Sequence, residues 1–269
     1  MVMGASTPAA RASGRHAWKT GPRIAACVAA GMSWSAGFVD VGCYQKLHQT
    51  YTSHITGATA STASHLVLAM WPGAGRSALA IGSFILGLLI SASLRHIERR
   101  KRIRSAFAVV LAIEIVLIGV FIACGAQAAF PIEPLIFFAA CAMGMQTVTV
   151  TRVGKVRVYT TFHTGNASKF SEAMTSYLFW AWDRTRGRFR ARLFRVLRVT
   201  ARQETAQQTA VTAGVWIAFL AGAVSAAAAV GAWGLTALIL PMFPLAAAIL
   251  ADWKAPSALG EKTCDTDPD

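Results

Sequence analysis

The chain has 269 residues, 55% of them hydrophobic and only 14% charged, with a mean hydropathy of +0.48. Soluble domains carry roughly 25% charged residues, so this balance excludes an ordinary water-soluble fold and points to a bilayer as solvent. The net charge of +14 is gathered in short basic blocks between apolar runs, where the positive-inside rule puts it; this argues for membrane lipids, not nucleic acid, as partners.

In chain order, residues 1–22 are small and basic and lack a long apolar run, which predicts a disordered cytoplasmic tail. Six runs then have about the 20 residues that a 30 Å hydrocarbon core requires. They lie near 24–43, 76–94, 105–127, 132–150, 208–230 and 232–250. Two more polar segments, 51–71 and 160–182, also have helix-forming composition, and residues 252–269 read as a short disordered tail. Pro241 and Pro244 are expected to bend or interrupt the last run. Several tryptophans, among them Trp71, Trp182 and Trp253, suit the membrane interface.

Charge decides which segments cross. The basic flank at Arg11–Arg23, the block RHIERRKRIR at 95–104 and the block at 184–202 all belong in the cytoplasm. Residues 95–104 return inside only if an even number of spans precedes them, so 51–71 does not cross. The same count bars 160–182. The prediction is an all-α polytopic membrane protein of six transmembrane helices plus two non-spanning or re-entrant segments, with both termini cytoplasmic.

The two polar segments resemble each other. Placing Gly57 over Gly165, 108 positions on, also aligns Tyr51 with Tyr159, Thr52 with Thr160 and Thr56 with Thr164. Under the predicted topology the two motifs enter from opposite faces, the mark of a 3+3 inverted repeat with halves at 23–130 and 131–251. Such a repeat serves packing alone, or lines a pathway.

The polar residues at membrane depth are the candidate substrate-binding groups: Asp40, His54, Thr56, Gly57, Glu114, Gln146, His163, Thr164, Gly165 and Asn166. Asp40 reads as an interfacial helix-end residue or as a cation or proton site. Glu114 needs a partner from another helix or has to hold its proton. His54 and His163 either hydrogen-bond the neighbouring threonines or cap short helices, and without acidic or Cys neighbours they are weak metal ligands. The five cysteines, Cys27, Cys43, Cys124, Cys141 and Cys264, are odd in number and form no Cys-x-x-Cys pair, so they read as apolar filler. No nucleotide loop, nucleophile elbow or zinc motif appears, and the expectation is neither an enzyme nor a cofactor protein.

The stretches AGFVDVGCY at 36–44, SHITGAT at 53–59, GMQTVTVTRVG at 144–154 and TTFHTGNASKFSEA at 160–173 together resemble the YoaK family of bacterial multi-pass membrane proteins, domain of unknown function 1275. The resemblance implies an inner-membrane location and covers roughly residues 24–250. Asp40 and the Thr164-Gly165-Asn166 triplet match the family pattern. Ala58 stands where the family has Asn, and Thr147 where Asn often follows Gln. The functional expectation is a transporter of a small polar solute or ion with a central site between inverted repeats. The alternative is a non-transport scaffold or partner-binding protein, and either form leaves room for a homo-oligomer.

Overall fold

Proline lies in the first turn of four helices, at Pro22, Pro72, Pro134 and Pro244, where its missing N–H has no intrahelical acceptor to lose. The computed structural model describes residues 21–101, 105–127, 129–149, 151–153, 156–158, 163–185 and 204–254. In order the helices are α1 (Gly21–Lys46), α2 (Ile55–Val67), α3 (Trp71–Lys101), α4 (Ala106–Gly125), α5 (Ile132–Val148), α6 (His163–Thr185), α7 (Glu204–Trp233) and α8 (Met242–Lys254). Two three-residue strands, β1 (Thr151–Val153) and β2 (Val156–Val158), pair antiparallel with Thr151 opposite Val158. No strand is among the predicted elements, and the hairpin begins just past the end of the fourth predicted run.

Among the described residues, four segments are long and apolar enough to cross a membrane: Ile24–Lys46, Trp71–Glu98, Ala106–Gly125 and Ala206–Lys254, with Ile132–Val148 apolar but shorter. The molecule is a polytopic helical membrane protein. Helix α2, with 13 residues, is about 20 Å long and too short to span. Helix α6 has the length, but Lys169, Glu172, Asp183 and Arg184 keep it out of the apolar set.

The run expected at 232–250 is broken. Helix α7 carries on to Trp233, a 3-10 turn occupies Gly234–Ile239, and α8 starts at Met242. Pro241 cannot donate into a helix, and its own carbonyl accepts the Ser35 hydroxyl of α1 at 3.0 Å. Helix α8 continues past the expected tail boundary to Lys254, because Asp252 is buried and accepts the hydroxyl of Ser105. Ser105 also caps α4 by accepting the Ala108 amide at 3.2 Å, while Glu98 accepts the Ala106 amide at 2.9 Å. These bonds satisfy amides that every helix start leaves orphaned.

Helices α1 and α5 form the centre. The window of α1 is 61% buried against 33% and 28% for the spans of α3 and α4, and every residue of α5 from Ala139 to Gln146 is buried. The outer helices α3, α4 and α7 expose Leu89, Val116, Ile217 and Val224, an apolar surface that fits lipid tails. Helix α1 packs along α7, and α3 packs along α5. Both crossings are closed by paired glycines. A side chain on Gly37 would strike the Phe219 carbonyl and one on Gly222 the Trp34 carbonyl; Gly87 stands in the same relation to Cys141, and Gly144 to Phe84. Without a Cβ at these positions the backbones approach closely, and dispersion holds helices together where no hydrophobic drive exists. The register of α1 on α7 advances with the chain, Gly37 meeting Phe219 and Gly42 meeting Val230, so the two run parallel.

Candidate functional site

Helix α1 brings a carboxylate to the start of α2. Asp40 is 4% exposed. Its Oδ1 accepts the Ser53 hydroxyl at 2.7 Å, the Thr52 hydroxyl at 3.2 Å and the Ser53 amide at 3.3 Å, and its Oδ2 faces Nδ1 of His54 at 2.9 Å. Such a carboxylate is tolerated at membrane depth because donors surround it. The hydrogen bond to Asp40, aided by its charge and opposed by burial, pushes the His54 pKa above its usual value. His54 precedes α2 but makes no capping bond with its side chain. Asp40 instead gathers the residues that lead into the helix.

Aromatic rings close the cluster. Tyr51 lies 4.9 Å from Tyr44 and 5.7 Å, edge-on, from His54, and it covers Gly57 so closely that a Cβ there would sit 3.3 Å from the ring. Thr56, expected to line the site, is exposed on α2, whereas Ala58 is buried. The corresponding residue in the second motif, Asn166, is buried equally, both at 2% exposure. Helix α2 starts at Ile55 and α6 at His163, the same 108 positions apart as the two glycines. Gly165 is half-buried; the side chains of His163 and Thr164 lie outside the described residues.

The remaining candidates sit in the interior. Gln146 of α5 is fully buried and donates to the Met32 carbonyl of α1 at 3.2 Å, while its Oε1 has no partner. Glu114 lies on the buried stripe of α4 with Val110, Leu111, Ile118 and Phe121, and among the described residues neither carboxyl oxygen meets a hydrogen-bond partner. The structure therefore joins Asp40 to His54 in one cluster and shows no bond from that cluster to Glu114 or Gln146. Among the described residues no group of three or more His, Cys, Asp or Glu could hold a metal ion. Cys27, Cys43, Cys124 and Cys141 are free thiols; Cys264 lies outside the described residues.

One polar region carried no motif. A cavity of about 420 Å³ opens between the end of α1, helix α2 and the start of α3. His48, His65 and Arg76 reach it from three successive elements, so no single helix or strand period could signal it.

The fold and these polar centres define a multi-span helical membrane protein with buried, hydrogen-bonding groups inside its helix bundle. Residues 28–251 match the family described as Protein of unknown function (DUF1275), and the chain belongs to that family. No curated protein and no solved structure matches it.

Proposed function

We propose that this protein is a transporter of a small polar solute or ion, built from two halves of inverted topology, α1–α4 and α5–α8, in a bacterial inner membrane with both termini cytoplasmic. The observation that carries the proposal is the exchange of helices between the halves. The first helix of each half packs on the third helix of the other, α1 on α7 and α5 on α3, and each crossing is closed by two glycines. Other contacts repeat in pairs: within the halves α2 lies on α3 as α6 lies on α7, and between them α4 lies on α5 as α8 lies on α1. Two such bundles can rock about the central α1–α5 contact and open a shared site to alternate sides.

The short helices supply the site. Asp40 lies six residues before the end of α1, so the chain at Thr52–His54 has turned back about 9 Å along that helix before α2 begins. This favours a re-entrant α2 with its amino end inside the membrane, and by the repeat a re-entrant α6 bearing Asn166. Glu114 and the free oxygen of Gln146 are the unengaged polar groups nearest to such a path in character. Ala58 in place of Asn leaves the first half chemically poorer than the second.

The test is reconstitution into proteoliposomes and an uptake screen across small polar solutes and ions. Uptake that Glu114→Gln and Asn166→Ala both abolish is the expected result. A folded protein that moves no solute class belongs to the scaffold alternative. Reporters after residues 72, 104 and 190 must read outside, inside and inside; residue 104 outside overturns the topology.

A further inference from the structure

We propose that the cavity between α1, α2 and α3 is a binding site for a small oxyanion, a phosphate or a carboxylate. It is separate from the Asp40 cluster and does not depend on transport. Its polar walls are His48 and Thr50 from the turn after α1, Ser61 and His65 from α2, and Arg76 and Ser77 from α3. Among the described residues no Asp or Glu lines it.

Arg76 is the central observation. Its guanidinium makes no hydrogen bond or ion pair with any described residue, and the ion pair described in the structure is that of Asp40 with His54. A half-buried arginine near the start of a membrane helix keeps its charge and is open to pairing with an anion. A guanidinium fork is also the side chain best matched to two oxygens of a phosphate or carboxylate. Under the topology proposed above, Arg76 lies with Lys46 on the face opposite the large basic blocks.

The neighbouring donors are held in place for a ligand. Ser77, 4% exposed, donates to Ser61 at 3.3 Å, and Ser61 meets Nδ1 of His65 at 3.4 Å. The His65 ring lies flat against Gly73, where a Cβ would come within 3.0 Å of three of its atoms. His48 and Gln49 both adopt left-handed backbone conformations, with φ of 50° and 61°, that non-glycine residues seldom hold. Two consecutive strained residues at the wall of a polar cavity are a common accompaniment of a ligand site. A cation finds no acceptor charge here, and a neutral solute leaves Arg76 uncompensated.

The oxyanion has two sources, a free anion from water or the phosphate of a lipid headgroup. Leu66, Val67, Leu68 and Trp71 form an exposed apolar rim beside the cavity, so a lipid could reach it. Titration calorimetry on the full chain in neutral detergent, with inorganic phosphate, sulfate and acetate at fixed ionic strength, addresses the first source. Native mass spectrometry of protein released from phosphatidylglycerol nanodiscs addresses the second. Saturable binding of a free anion, weakened about tenfold by Arg76→Gln, less by His65→Gln and unchanged by Lys254→Gln, supports the site with a soluble ligand. Retained phospholipid that is lost only in Arg76→Gln and His65→Gln supports it with a headgroup ligand. No ligand in either arm, or binding indifferent to both substitutions, overturns it. Should Arg76→Gln fail to fold by thermal unfolding, Arg76→Lys, which keeps the charge and loses the fork, decides together with His65→Gln.

Discussion

Asp40 and Glu114 are both buried carboxylates in apolar helices, and the structure treats them in opposite ways. Asp40 meets four donors at the entry to α2, whereas Glu114 meets none in the middle of α4. A satisfied carboxylate fixes architecture, because each donor it holds constrains a piece of backbone. An unsatisfied one weakens the fold and persists where something other than stability retains it. The comparison assigns Asp40 to the geometry of the turn into α2 and, under the proposed transport function, makes Glu114 the better candidate for a group that acts on a solute.

The sharpest way to break this contrast is Asp40→Ala. It removes four bonds, each worth about 0.5–1.5 kcal/mol net, and strands the Ser53 amide, so a loss of about 2–4 kcal/mol is expected by thermal unfolding in detergent. An unchanged melting temperature would remove Asp40 from its structural role. Next in size, Gly37→Ala and Gly144→Ala should each cost about 1–3 kcal/mol, since the added Cβ meets a backbone carbonyl that cannot move aside. Similar losses at the two sites sharpen the case for matched crossings; a large loss at one and none at the other breaks it.

Glu114→Leu should leave stability equal or slightly raised, by about 0–2 kcal/mol, because an apolar side chain replaces an unpartnered polar one. The smallest effect is the pH dependence of the Asp40–His54 pair. The folded-state pKa of His54 lies above its unfolded value of about 6.5, so the folded state holds the proton more tightly. The pair's contribution is full below that value and is lost as pH rises through the folded pKa. Because His54 is 48% exposed, the loss should stay below about 1 kcal/mol. His54→Gln should flatten that part of the unfolding profile between pH 6 and pH 8.

Much of this arrangement was legible in the chain. The apolar runs became helices near their expected places, and the polar segments became α2 and α6, starting 108 positions apart as the motif alignment requires. Local signals suffice there, because apolar length and proline placement act within a few turns. The interruption at Pro241 was likewise visible, though not the Ser35 hydroxyl that satisfies its carbonyl. The polar inventory set Asp40 near a helix end and Glu114 deeper in its run, but could not show that donors gather on Asp40 and none of the described residues on Glu114. Thr56 is exposed and Ala58 buried, a division the motif does not announce because it names residues without saying which face of the helix they occupy.

Composition, charge placement and repeat spacing thus determined by themselves that this chain is a many-helix membrane protein with two polar segments of like pattern. Those are one-dimensional properties, set by what a bilayer tolerates along a strand of chain. Only the tertiary structure decided that α1 meets α7 through glycine, that Asp40 closes on His54 and that Glu114 stands without a partner. It alone also brought Arg76 to a cavity with His48 and His65. Each of these depends on contacts between distant segments, whose energies are set by which helix faces touch and not by any residue's neighbours in sequence.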